Sequence, residues 1–225
     1  MRMSSQSPPL VSAVPFDPAS SSVAHAIELC NGFASLQPTH KVLIKPNLVT
    51  WEAQPPMPPY GVVTTTRVVE ELIQLLIAKG CRDITIGEGS VTMHQGAGTM
   101  DIFDALGYSQ LAKKYGVKLL DFNQSPPQAV HIPTGQTIFL AKDALGWDFF
   151  IDVPTLKTHS QTKVSLGMKN LKGCLKVTSK KQFHDPKYGL SNWIQWLPEF
   201  ISPHLTVIDG ILTFVVERET TQTAS

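Results

Sequence analysis

The order of apolar runs in the first half of the chain most constrains how this protein can fold. Three short runs, at 42–44, 83–87 and 117–122, have the length and the apolar content of buried strands. Between them lie two segments with apolar residues at helical spacing, the first ending at Gly80 and the second covering 102–115. This order predicts an α/β fold with a mostly parallel sheet and helices on both faces.

Further elements extend this sheet. The additional predictions are a short strand at 10–16, a helix over 23–34, an appended β-hairpin around Thr134 and Gly135, a strand at 148–153, a helix over 190–201 and a last strand at 205–208. A chain of 225 residues is long enough to bury a sizeable core as one domain. We therefore expect a single domain over 1–212 and a polar C-terminal tail over 213–225.

Positive charge is concentrated in residues 155–187, named here the basic segment. It holds eight lysines and one aspartate, a net charge of +7, whereas the whole chain carries +1 and the remainder therefore −6. Because a solvated surface normally mixes both signs, this asymmetry predicts binding of an anion, with a solvated basic face as the alternative. Nucleic acid is disfavoured, since residues 155–182 contain no aromatic side chain to stack on bases and no arginine.

Polar residues follow the ends of several predicted strands. Lys45 and Asn47 follow the first strand, Glu88 follows the second, the basic segment opens after Pro154, and Asp209 follows the last strand. Ligands of open α/β sheets bind outside the carboxyl ends of the strands, so we expect these groups to converge on one crevice. Gly167 and Gly173 would let backbone amides face the same ligand.

Two histidines, His159 and His184, lie within the basic segment. Histidine can serve as an acid, a base or a metal ligand, but a structural role is the commoner one. Glu88 lies between two glycines and is interpreted either as a general base or as a turn residue that accepts backbone amides. The surrounding sequence matches neither a Walker loop nor a dinucleotide-binding glycine motif, and the histidine spacing fits no zinc pattern.

Composition limits the compartment and the cofactors. The three cysteines, Cys30, Cys81 and Cys174, are far apart and odd in number, which predicts reduced thiols and no iron–sulfur cluster ligated by this chain. No run reaches the about 18 apolar residues of a membrane span. The prolines near the N-terminus break any signal-peptide core, so a cytoplasmic location is expected. The identity of any other cofactor or metal stays open.

Seven motifs together resemble the DUF362 family, a domain of unknown function found alone or beside ferredoxin-like iron–sulfur modules. They are KPNLV at 45–49, TTTRVVEELI at 64–73, IGEGS at 86–90, GYSQLAKKYGVKLLDF at 107–122, DVPTLKTH at 152–159, SLGMKNLKG at 165–173 and LTVIDGI at 205–211. The resemblance implies an α/β fold and an association with redox chemistry, but it supplies no reaction. The polar positions that match the family's motifs are Lys45, Asn47, Glu88, Lys157, His159, Lys169, Asn170, Lys172, Gly173, His184 and Asp209.

Two departures from the family pattern follow. Without cluster-binding cysteines, an iron–sulfur centre would have to lie on a separate protein. Family members continue past VIDGI into a glycine-rich stretch, whereas this chain runs LTFVVERETTQTAS, so its C-terminal part is expected to be truncated or diverged.

Two functional hypotheses remain, and the sequence leaves open whether the chain is an enzyme. In the first, an anionic small molecule is clamped by Lys157, Lys169 and Lys172, with His159 as proton carrier or metal ligand oriented by a carboxylate of Glu88 or Asp209; the other matching positions bind the ligand. A buried lysine with a lowered pKa could instead attack a carbonyl carbon, and the sequence does not separate these roles. In the second, the lysine-rich face docks a separate iron–sulfur protein of ferredoxin type without catalysis.

Overall fold

The computed structural model describes residues 9–50, 60–91, 98–183 and 189–215. The helices are α1 Ser22–Leu29, α2 Thr66–Ala78, α3 Thr99–Ala105, α4 Tyr108–Tyr115, α5 Gly167–Asn170, α6 Val177–Gln182, α7 Leu190–Ile194 and α8 Leu197–Phe200, with short 3₁₀ helices at Lys142–Ala144 and Leu171–Cys174. The strands are β1 Lys41–Pro46, β2 Asp83–Glu88, β3 Lys118–Asp121, β4 Pro127–His131, β5 Thr137–Ala141, β6 Phe149–Val153, β7 Thr155–His159, β8 Lys163–Ser165, β9 Leu205–Thr206 and β10 Asp209–Phe214.

The main sheet has five parallel strands in the order β3-β2-β1-β6-β9. The chain moves outward from β1 through β2 to β3, and then returns to the other side of β1 to form β6. This reversal makes the carboxyl ends of β1 and β6 the topological switch point, where open α/β sheets bind their ligands. The predicted α/β fold with a mostly parallel sheet is confirmed.

Both faces of this sheet are covered, because successive side chains of a strand point to opposite sides. Val42 and Ile44 of β1 pack in one apolar cluster with the buried face of α2, including Leu72. Leu43, between them, packs in a second cluster with Phe150 of β6, with Phe183 just after α6, and with residues from the hairpin, α7 and α8. The next residues on this second side, Lys45 and Asp152, therefore face the layer that contains the basic segment.

Two smaller sheets complete the structure. The appended hairpin is confirmed: β4 and β5 pair antiparallel around a turn in which Gly135 has a φ of 89°. After Pro154 the chain forms β7, which pairs antiparallel with β8 and parallel with β10. The basic segment therefore follows a folded path through β7, β8, α5 and α6 as far as Phe183.

Several local predictions differ from the structure. The helix predicted over 23–34 ends earlier, because α1 stops at Leu29. Residues 10–16 form no strand, because no neighbouring strand pairs with them in the described residues. The helix predicted over 102–115 is broken at Gly107, whose φ of 85° ends α3 before α4 begins. The helix predicted over 190–201 divides into α7 and α8. The last strand predicted over 205–208 is shorter, as β9, and Asp209 begins a further strand, β10, that continues to Phe214.

None of the described helices combines the length with the apolar character that crossing a membrane requires.

Candidate functional site

The switch point brings together a buried group of polar residues. Lys45 of β1 and Asp152 of β6 are partners in the parallel register, and both are completely buried. Asn170 of α5 bridges them: its Oδ1 accepts a hydrogen bond from Lys45 Nζ at 3.2 Å, and its Nδ2 donates to Asp152 Oδ1 at 2.8 Å.

The ammonium group of Lys45 has an acceptor for each of its three protons. Besides Asn170, it donates to the carbonyl of Pro46 at 3.2 Å and to Glu88 Oε2 at 3.0 Å. Burial on its own lowers the pKa of Lys45, but the negative charges of Glu88 and Asp152 more than offset this, and the pKa is raised above its usual value. Lys45 is thus a buried, charged residue with a structural role, and it does not itself line the cavity described below.

The carboxylate of Glu88 is held on both oxygens. Oε2 accepts from Lys45 and from the Leu48 amide at 3.1 Å, and Oε1 accepts from the Gly89 amide at 2.7 Å. These bonds tie the carboxyl ends of β1 and β2 together. The interpretation of Glu88 as a residue that accepts backbone amides therefore describes its contacts, and a role as general base stays a prediction.

Asp152 is a site residue that the sequence did not suggest. Its Oδ2 is buried and, among the described residues, has no hydrogen-bond partner. Burial is the main reason that the pKa of Asp152 is raised to about 7, although the nearby Lys45 charge acts in the opposite direction. An acidic residue near the end of an otherwise apolar strand, in FFIDV, was the available signal.

Above this buried group lies a cavity of about 240 Å³, named here the lysine cavity. Its described lining residues are Asn47, Val49, Thr50, Glu88, Gly89, Val91, Lys157, His159, Ser165, Lys169, Asn170, Lys172, Gly173 and Lys180. Four of these are lysines from the basic segment. Glu88 is the one acidic residue in this described lining, and its charge is already paired with Lys45. The lysine cavity is therefore a cationic enclosure.

Burial lowers the pKa of all four cavity lysines. For Lys157, Lys169 and Lys180 the pKa falls to about 8, and for Lys172 it falls to about 7. After burial, the next cause for Lys157 and for Lys172 is repulsion from the neighbouring charge of Lys169. The four amino groups are thus poorly solvated and near other positive charges. A bound anion would stabilise their charged forms.

Among the cavity lysines, Lys157 and Lys180 donate hydrogen bonds to described acceptors, and Lys172 also has an interaction partner. Lys157 Nζ donates to the carbonyl of Val62 at 2.5 Å, and Lys180 Nζ donates to the carbonyl of Gly89 at 2.5 Å and to Asn123 Oδ1 at 3.0 Å. Lys180 was not among the predicted site residues.

The remaining predicted site residues have distinct positions. Asn47 and His159 line the lysine cavity, and His159 Nδ1 accepts from the amides of Gln161 and Thr162. Asp209 does not line it; its Oδ2 accepts from the Thr65 amide at 2.7 Å, at the start of α2. His184 lies outside the described residues. In the part of the chain that the structure describes, no group of three histidine, cysteine, aspartate or glutamate residues is placed to hold a metal ion.

Gly173 allows the backbone of the basic segment to approach the Lys45–Glu88 pair. A Cβ atom at this position would collide with Glu88 Oε1 and lie 2.7 Å from Lys45 Nζ. We expect Gly173→Ala to lower the free energy of unfolding by about 1–3 kcal/mol, as overpacking of a well-packed interior usually does. Urea denaturation measures this, and Gly210→Ala is the matched control, because its nearest contact is an ordinary 3.6 Å to Leu156. Equal stabilities of the two variants would contradict the proposed crowding.

The lowered pKa of Lys169 predicts that this residue reduces the free energy of unfolding in a pH-dependent way. Below about pH 8 the folded state must either bury a charged amine or release its proton, whereas above about pH 10.5 the amine is neutral in both the folded and the unfolded state. Lys169→Met should therefore be more stable than the wild type near neutral pH, and this advantage should shrink as the pH rises through that interval. Urea denaturation of both proteins across the interval measures the difference, and a constant difference would contradict the prediction.

Comparison with known proteins agrees with this fold. The sequence model of the DUF362 family, described as a domain of unknown function, matches residues 42–224. A thylakoid-associated protein of Synechocystis sp. is 26% identical over 181 residues, which cover 79% of this chain and 53% of that protein, so the chain spans about half the length of this curated relative. The structure of the lactate racemase apoprotein from Thermoanaerobacterium thermosaccharolyticum is similar with a TM-score of 0.53 at 16% identity, over 79% of this chain and 44% of that one. The last likeness shows a shared α/β fold.

Proposed function

Because the chain belongs to the DUF362 family, whose function is unknown, its activity has to be inferred from the site, and we propose that the lysine cavity binds a small anionic molecule. One observation carries this proposal. Lys157, Lys169, Lys172 and Lys180 line one enclosure in which the single described carboxylate is already paired. Buried charges are normally matched by an opposite charge, so this arrangement favours a ligand that brings negative charge with it.

The size of the cavity limits the ligand. At about 240 Å³ it is slightly smaller than the roughly 300–1,000 Å³ typical of drug-sized ligand pockets. A small dicarboxylate or a small phosphorylated compound fits this volume and charge better than a nucleotide or a peptide. Charge-assisted hydrogen bonds from the lysines to carboxylate or phosphate oxygens would supply the affinity.

The side chains also suggest how a bound anion could react. Lys157, Lys169 and Lys172 would hold its oxygens, and His159, which lines the same cavity, would be the group available for proton transfer. Glu88 would have a structural role, through its contacts with Lys45 and two backbone amides. The expected association with redox chemistry stays a proposal that comes from the family resemblance.

Ligand-dependent thermal stabilisation tests the binding proposal. Oxalate, citrate and inorganic phosphate should be tried, because the natural ligand is unidentified. At least one of them should stabilise the wild type, by about 2.7 kcal/mol at a hundredfold excess over its Kd, and should no longer stabilise Lys157→Met/Lys169→Met. Lys41→Met/Lys79→Met removes two exposed charges and is the matched control. Stabilisation that is unchanged in the cavity variant, or absent with all three anions, would contradict the proposal.

Docking of an iron–sulfur protein is the second proposal, and it would use different lysines. Lys163 and Lys181 belong to the basic segment and are exposed, so they remain available to an acidic partner. Docking between exposed charges should weaken steeply as ionic strength rises, whereas binding in the lysine cavity should change less. Titration with an acidic ferredoxin at low and high salt therefore distinguishes docking from binding in the lysine cavity. If the ferredoxin does not bind at low salt, the docking proposal is wrong.

A further inference from the structure

Lys169 differs from the other cavity lysines in its surroundings. Lys157 and Lys180 donate hydrogen bonds to backbone carbonyls, and Lys172 has interactions of its own. No described residue accepts a hydrogen bond from Lys169 or pairs with its charge, and burial is the cause of its lowered pKa. Lys169 lies on the last turn of the short helix α5, next to Asn170, which is anchored to both β1 and β6. The backbone that carries this amine is therefore fixed.

The charge of Lys169 acts on both Lys157 and Lys172, so its amino group lies near both of theirs. Burial lowers the pKa of Lys169 to about 8, and the neutral amine is the form that attacks carbonyl carbons. The flanking lysines, when protonated, can hold a carboxylate at the same time.

We propose that the amine of Lys169 forms an imine with a small 2-oxo acid bound in the lysine cavity. The inference rests on the proposed anion binding and names a class of ligand for that site. The carboxylate of the 2-oxo acid would pair with Lys157 and Lys172, which would bring its carbonyl carbon within reach of Lys169. The size of the cavity supports a compound with few atoms.

The chemistry of this step balances without an oxidant or a reductant. The lone pair of the neutral amine forms a C–N bond to the carbonyl carbon, and the C=O π electrons move to oxygen, giving a carbinolamine after proton transfer. The C–O bond then breaks, the oxygen leaves as water with both protons that the amine carried, and a C=N bond remains. His159 lines the same cavity and would give a proton to the departing oxygen and recover it afterwards.

Borohydride trapping tests this inference directly. The protein is incubated with pyruvate, glyoxylate or 2-oxoglutarate and then with sodium borohydride, which reduces an imine to a stable secondary amine. Intact-mass measurement should show one adduct per chain with at least one of the three acids, and peptide mapping should locate it at Lys169. No adduct with any of them, or an adduct confined to other lysines, would overturn the inference.

Two variants separate imine formation from anion binding. Lys169→Arg keeps the positive charge but cannot form the imine, so it should lose the adduct and retain stabilisation by the anion that stabilises the wild type. Lys41→Arg, which changes an exposed lysine outside the cavity, should retain the adduct. If the anions stabilise the wild type and no adduct forms, the imine is wrong and the binding proposal stands. If none of the anions stabilises the wild type, the binding proposal itself fails.

Discussion

Replacing Lys45 with methionine should lower the free energy of unfolding by about 3–5 kcal/mol, because it leaves a buried carboxylate without its counter-ion. Lys45 is completely buried, and its ammonium group donates to Pro46, Glu88 and Asn170. Methionine has a similar length and packs comparably, so the loss measures charge and hydrogen bonding more than volume. Urea denaturation gives the value.

Two further variants make this prediction specific. Lys41→Met changes an exposed lysine at the other end of the same strand and should alter stability by no more than about 0.5 kcal/mol. Lys45→Met/Glu88→Gln removes both charges and should be more stable than the sum of the two single effects predicts, because the residues are in contact. If Lys45→Met is as stable as Lys41→Met, the Lys45–Glu88 ion pair does not stabilise the switch point, and the prediction is wrong.

Raising the pH from about 7 to about 9 should weaken the binding of oxalate by at least about 100-fold, if the lysine cavity holds it. Each lysine with a pKa near 8 in the free protein must regain its proton to pair with the dianion, at a cost of about tenfold over this range per lysine, and at least two such lysines are involved. Oxalate stays a dianion throughout. Isothermal titration calorimetry measures the affinity.

The same titrations count the protons taken up. Heats recorded in two buffers of different ionisation enthalpy should show net proton uptake on binding near pH 8. In Lys172→Met both the uptake and the pH dependence should decrease, whereas Lys79→Met, an exposed lysine on the far end of α2, should behave like the wild type. Binding that is independent of pH would show that oxalate does not bind to these amines.

The parallel sheet could be predicted from the sequence because the evidence for it is local. The apolar runs at 42–44 and 83–87 form fully buried strand interiors, and the helical spacing of Val68, Leu72 and Leu76 defines the buried face of α2. The rule that ligands bind at the carboxyl ends of parallel strands then indicated one edge for Lys45 and Glu88. The structure brings these two residues to 3.0 Å.

Other parts of the site depend on contacts that local patterns do not encode. Asp152 lies within an apolar run, and its importance comes from the register that places it beside Lys45 on a neighbouring strand. Lys180 reaches the cavity because α6 packs below the hairpin, where Phe139 bonds to Ser179. Asp209 shows the reverse case: a carboxylate after a strand can equally accept a backbone amide, as it does from Thr65.

The structure divides the buried lysines into two kinds. Lys45 is matched by Glu88, so its charge stabilises the fold and its pKa is raised. Each of the four cavity lysines instead has a lowered pKa, and burial is its main cause. A protein that keeps poorly solvated amino groups around a cavity gives up stability, which is common at binding sites and is recovered when the ligand binds.

An anion that scatters anomalously tests the central proposal most directly. Crystals of the protein soaked in selenate should show their strongest anomalous peak inside the lysine cavity, within hydrogen-bond distance of the amino groups of Lys157, Lys169 or Lys172. Peaks confined to exposed lysines such as Lys41 and Lys118, with none in the cavity at saturating selenate, would contradict the account.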